Sequence, residues 1–149
     1  MMVDRSEKAV ALFEQGFNCA QAVFGAYAED LGMDFDTAVK LSCSFGGGMG
    51  RMREVCGTCS GMFMVAGMLT GNADGANREA KQANYEVVQR LANRFKEANG
   101  SIICRELLEG VAVANKGTAQ PEERTKEYYR KRPCKELVRM AAKIVAEEL

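Results

Sequence analysis

Six cysteines, at positions 19, 43, 56, 59, 104 and 134, are the residues of this chain best suited to chemistry. Histidine is absent. No imidazole can therefore act as a base, and a metal would have to be held by Cys, Asp or Glu. Cys56 and Cys59 form a C-x-x-C pair, a candidate for reactive or metal-binding sulfur. The pair lacks the strand–helix context of a thioredoxin-like motif, and no second C-x-x-C completes a zinc ribbon.

Helix signals give four of the cysteines a shared position. Asn18 is a good N-cap and Gln21 can answer it as a capping box, which makes Cys19 the first residue of a helix. Pro133 fits a first helical turn and brings Cys134 with it. Cys56 and Cys104 lie close to two further predicted starts. Free N–H groups and the positive end of the helix dipole lower a thiol pKa and favour the thiolate. Arg51 and Arg53 before Cys56, Arg105 after Cys104, and Arg132 and Lys135 around Cys134 add positive charge. Cys43 and Cys59 read equally well as small buried hydrophobes.

The elements that must position these thiols follow from periodicity. Residues 4–15 carry Val10, Leu12 and Phe13 at helical spacing, and Gly16 stops that helix. A second runs from Cys19 to Leu31 and is ended by Gly32, and a third opens at Asp34-Phe35-Asp36 and reaches about Ser44. The glycines of 45–50 mark a close-packed loop, because such glycine density is costly in regular structure. Residues 54–70 have apolar side chains on every face and no charge after Glu54, the pattern of a buried central helix. Residues 76–98 stripe Ala80, Ala83, Val87, Leu91 and Phe95. Ser101 is a candidate cap for a short helix through Cys104 and Leu108; an isolated strand at Ile102-Ile103 is the alternative. Residues 110–132 give the weakest signals, and Arg124 to Lys135 read as a solvated basic face. Residues 133–148 stripe Leu137, Met140, Ala141, Ile144 and Val145. The expectation is an all-α, single-domain bundle, residues 1–149, of about five to seven helices around the helix at 54–70.

Twenty acidic and twenty basic residues cancel in a chain of 149. That balance gives no electrostatic case for nucleic acid or an anionic membrane. The uncharged run at 55–73 contains Cys, Thr, Ser, Asn and Gly, which makes it too polar for an ordinary membrane span. The charged N-terminus has no signal-peptide core. A cytoplasmic location is expected, with the six cysteines as reduced thiols, redox pairs or metal ligands and not a secreted disulfide framework.

The segments GFNCAQAV at 16–23, CSFGGGMGRMREVCGTCSG at 43–61, CRELL at 104–108 and CKELV at 134–138 resemble the putative redox-active proteins named for a C…GCAxxG…C…C pattern. The resemblance implies a small helical protein with redox or iron–sulfur chemistry, of a kind frequent in anaerobic bacteria and archaea. A related domain looks to be present in split-Soret-type cytochromes. Cys19, Cys56, Cys104 and Cys134 match the recurring cysteines. The central motif departs from the pattern: it reads V-C-G-T-C-S-G, so Cys59 is an extra thiol beside Cys56.

Three functions follow. In the first, Cys19, Cys56, Cys104 and Cys134 ligate an iron–sulfur cluster, or cycle between dithiol and disulfide with Cys56 and Cys59 as an added catalytic couple. A redox partner protein or electron carrier would then be required, and a homodimer is among the allowed assemblies. In the second, the same four cysteines close a structural zinc site. In the third, a metal-free interior lined by Met and Gly holds a small ligand or partner.

Overall fold

The computed structural model describes residues 1–149. Eight helices account for its regular structure: α1 Ser6–Glu14, α2 Cys19–Tyr27, α3 Phe35–Cys43, α4 Gly57–Thr70, α5 Arg78–Asn99, α6 Cys104–Leu107, α7 Lys126–Lys131 and α8 Cys134–Glu148. The all-α expectation holds. The helix beyond those expected is α7, within the weakly patterned 110–132. Its N-cap Thr125 accepts a hydrogen bond from the Tyr128 N–H.

The predicted capping box is present at the start of α2. The Asn18 side chain accepts from the Gln21 N–H, and the Gln21 side chain accepts from the Asn18 N–H. The same two side chains reach across to α3, where Asn18 donates to the Cys43 carbonyl and Gln21 to that of Val39. Ala20 and all residues from Ala22 to Ala28 are buried, so α2 shares the centre of the bundle with α4. Its Tyr27 hydroxyl donates to the Ala142 carbonyl at 2.7 Å and so ties α2 to α8.

Close approach of α2 and α4 depends on two glycines one helical turn apart. A Cβ on Gly61 would lie 2.8 Å from the Val23 Cβ, and one on Gly57 would lie 3.1 Å from the Ala20 nitrogen. Met62 and Val65 of α4 pack with Val23 and Phe24 of α2 in one apolar cluster. Full burial of such a side chain contributes about 1.5–3 kcal/mol.

Several boundaries differ from the expectations, and α2 ends at Tyr27, short of Gly32. Helix α4 starts at Gly57, not at 54, because the preceding residues are held extended. Val55 forms an antiparallel bridge with Ile103, the Cys56 N–H donates to Ile102, and the Cys104 N–H donates to Glu54. Ser101 does not cap α6, whose N-cap is Ile103; its hydroxyl instead accepts from the Ile103 N–H. Only the first part of α4 is enclosed on all sides, and Gly67, Met68 and Leu69 are exposed.

The glycine loop adopts a left-handed course. Gly47, Gly48, Met49, Gly50, Arg51 and Arg53 all have φ between 60° and 71°. For Met49, Arg51 and Arg53 such backbone costs about 1–2 kcal/mol each. Hydrogen bonds from Arg53 N to Gly47 O and from Glu54 N to Gly48 O close the loop on itself.

Candidate functional site

Cys19, Cys56, Cys104 and Cys134 come from four separate segments and line one cavity of about 30 Å3. Leu107, Leu108 and Leu137 form its apolar walls. That volume is about what one water molecule occupies in the liquid. The helix-start placement expected from sequence is present for all four. Cys19, Cys104 and Cys134 open α2, α6 and α8, and Cys56 is the N-cap of α4.

The other two cysteines stand apart. Cys43, near the end of α3, is exposed, and not the small buried hydrophobe that sequence also allowed. Cys59 is fully buried in the apolar core and is not part of the cavity wall. It remains a neighbour of Cys56, one turn away on α4, and its N–H donates to the Cys56 carbonyl at 2.9 Å.

Each of the four cavity sulfurs has its own polar neighbours. The Gly47 backbone stands beside Cys19 in the cavity wall. Cys56 Sγ lies 3.1 Å from Thr58 Oγ1. The Arg53 guanidinium donates to Cys104 Sγ at 3.6 Å, and Arg132 stands 4.0 Å from Cys134 Sγ. The cations named from sequence are thus sorted by the fold. Arg53 serves Cys104, not the nearby Cys56, and Arg132 serves Cys134. Lys135 pairs with Glu14, and Arg105 with Glu54.

Glycines make room for these contacts. A Cβ on Gly57 would meet Cys19 Sγ at 2.5 Å, and one on Gly48 would meet the Cys104 Cβ at 2.6 Å. A Cβ on Gly46 would strike the Asn18 side chain at 2.3 Å, so the capping box of α2 depends on the same loop.

The expectation of lowered thiol pKa values is overturned. Burial pushes Cys19 far up, and the nearby Cys56 and Cys134 thiols add to the shift against the Gly47 backbone. Cys56 is raised well above the ordinary thiol range, first by the Cys59 side chain and then by burial. Burial raises Cys104 and Cys134 as well, with Arg53 and Arg132 opposing it. Desolvation of a charged sulfur by apolar walls outweighs the helix ends.

Arg132 and Tyr128 correct another expectation. Both are buried, so the 124–135 segment is not a purely solvated face. Arg132 pairs with Glu122, and its guanidinium lies 4.7 Å from the centre of the Tyr128 ring. Its Nε has no hydrogen-bond partner. Arg124 packs 4.5 Å over Phe13 and donates to the Phe13 and Phe17 carbonyls, which fixes the segment against α1. In the sequence Tyr128 belongs to the basic, aromatic-interleaved run 124–135, and the Pro133-Cys134 step is the local signal of a site there.

Four thiols with no histidine suit an iron–sulfur cluster as a donor set. No group of three or more Cys, Asp or Glu side chains is placed to hold a single metal ion. No helix is long and apolar enough to cross a membrane.

Residues 17–148 match the family described as putative redox-active protein (C_GCAxxG_C_C). No curated protein matches, and no solved structure matches.

Proposed function

The chain belongs to the putative redox-active protein family C_GCAxxG_C_C, and we propose that Cys19, Cys56, Cys104 and Cys134 are its redox centre, ligating an iron–sulfur cluster. The observation that carries this reading is the convergence of four cysteines from distant parts of the chain on one cavity. Such a donor set is what the common clusters require, and bound iron and sulfide would supply one-electron chemistry.

The chain's own groups do the rest. Thiols must lose their protons to become ligands, so uptake releases protons. Arg53 and Arg132 hold positive charge beside Cys104 and Cys134. Donors of this kind stabilise charge on sulfur and tune its potential. Leu107, Leu108 and Leu137 keep the centre dry.

A second reading is dithiol–disulfide cycling by Cys56 and Cys59, favoured by the Cys59 side chain as the first influence on the Cys56 thiol.

An absorption spectrum with elemental analysis on anaerobically purified protein separates the two. The cluster reading expects visible thiolate-to-iron bands with iron and acid-labile sulfide. Cys→Ser substitution at 19, 56, 104 or 134 should abolish them, and Cys43→Ser or Cys59→Ser should not. Colourless protein that loses two titratable thiols on mild oxidation, and keeps them in Cys59→Ser, would support the dithiol reading instead.

A further inference from the structure

A groove of about 1060 Å3 lies between the glycine loop and the segment that follows α6. It shares Arg53 and Leu108 with the wall of the cysteine cavity, so the two spaces are separated by single side chains. Arg51, Arg53, Arg105 and Lys116 line it, against one acidic residue, Glu109. Of these cations only Arg105 has a carboxylate partner, Glu54. No carboxylate pairs with Arg51, Arg53 or Lys116.

Arg51 is committed to architecture. Its guanidinium donates to the carbonyls of Ala114, Asn115, Thr118 and Gln120, which pins the outer wall of the groove while its charge stays unneutralised. The remaining wall is apolar: Met52, which is 67% exposed, with Leu108, Val111 and Val113. Uncompensated positive charge beside apolar surface selects for a molecule that is negative at one end and apolar at the other.

We propose that this groove binds a small organic anion, a carboxylate, phosphate or sulfonate on an apolar body, next to the Cys104 side of the cysteine cavity. Arg105 and Lys116 meet the charge from solvent, Arg53 meets it from the inner wall, and the Met52–Val111 surface takes the apolar part. The volume accommodates a ligand of ordinary cofactor or metabolite size. That the occupant serves as reaction partner of the thiols rests on the redox reading above; its binding does not.

The test uses two dyes that differ by one charged group, anilinonaphthalene sulfonate and its uncharged parent N-phenylnaphthylamine. Binding to the reduced, metal-free full chain is followed by fluorescence. The sulfonate should bind at least about tenfold more tightly than the amine, and its affinity should fall with added salt. Arg105→Gln with Lys116→Gln should weaken the sulfonate by about tenfold and leave the amine within about twofold. The melting temperature of the double variant checks that its fold is intact. Equal binding of the two dyes, or a sulfonate affinity indifferent to the double substitution, would overturn the proposal. Iron content and thiol titre are read separately. Anion binding without redox chemistry would refute the function and keep the groove, and the converse would refute the groove alone.

Discussion

Gly57 and Gly67 lie on the same helix, and alanine at the two positions should have opposite effects. At Gly67 a Cβ would find nothing within 4 Å. The substitution there removes the helical cost of glycine and should stabilise by about 0.8–1 kcal/mol. At Gly57 a Cβ would meet Cys19 Sγ at 2.5 Å, the Phe45 carbonyl oxygen at 3.0 Å and the Ala20 nitrogen at 3.1 Å. Two of those three atoms are backbone and cannot rotate away. Overpacking of this kind costs about 1–3 kcal/mol, while the propensity gain is reduced at the first position of a helix. The two variants should therefore differ by about 2–4 kcal/mol, a separation of about 1 M or more in urea midpoint for a chain of this size. Gly61→Ala, whose Cβ would meet the Val23 Cβ at 2.8 Å, should fall on the destabilised side. Equilibrium unfolding of the reduced, metal-free proteins measures all three. If Gly57→Ala proved as stable as Gly67→Ala, the packing of α4 on α2 through Cys19 would be wrong, and the placement of the cavity with it.

Three further outcomes are expected. Tyr27 donates to the Ala142 carbonyl in the core, so Tyr27→Phe should cost about 1–2 kcal/mol in a denaturation midpoint. Burial lifts the Tyr27 pKa from 10.0 to about 12, so the folded state keeps its proton longer than the unfolded chain. The associated stability is present below pH 10 and is lost as pH rises through 10 towards 12, a loss that should be missing from the Phe variant. Arg132 and Glu122 are paired with side chains only 5% and 6% exposed. Removing either partner alone should destabilise by about 3–5 kcal/mol, and replacing both by apolar residues should recover most of it in thermal melts. Finally, Cys43 is the exposed thiol among the six; an alkylating reagent on native reduced protein should label it fastest by mass spectrometry, and uniform labelling of all six would contradict the cavity.

Sequence carried most of the fold because the strongest local signals were also the ones the tertiary structure uses. The capping box at Asn18 and Gln21 is geometrically complete, and the glycine loop is a loop in its dihedral angles even where its hydrogen bonds mimic a helical turn. The misses came where a distant segment decides the local state. Glu54 to Cys56 would continue into α4 on pattern alone, but pairing with Ile102 to Cys104 holds them extended. Residues 126–131 look like a charged surface run, and form α7 because Tyr128 is buried against Phe13 and Arg132. The C-terminal part of α4 continues the apolar run of 62–66, but Met68 and Leu69 are exposed. Nothing in a single chain's periodicity reports which partner will be in reach.

The candidate site divides along the same line. Which cysteines belong together was legible, since helix-start signals are local. What their environment does to the sulfurs was not, because it depends on the competition between two effects of one placement. Setting a thiol at a helix start brings free N–H groups and positive charge; setting four of them around one cavity walled by Leu107, Leu108 and Leu137 removes water. The shifts of all four are upward; desolvation leads at Cys19, Cys104 and Cys134, and the Cys59 side chain leads at Cys56, ahead of burial. The same competition explains the form of the loop. A right-handed turn at 47–53 would be cheaper, but the left-handed course brings Gly47 into the cavity wall beside Cys19 and packs Gly48 against Cys104. It also leads to Arg53, whose guanidinium reaches Cys104. Backbone strain at Met49, Arg51 and Arg53 is thus spent where buried sulfur most needs donors, and strain held at a site by its surroundings is a sign of function more than of fold.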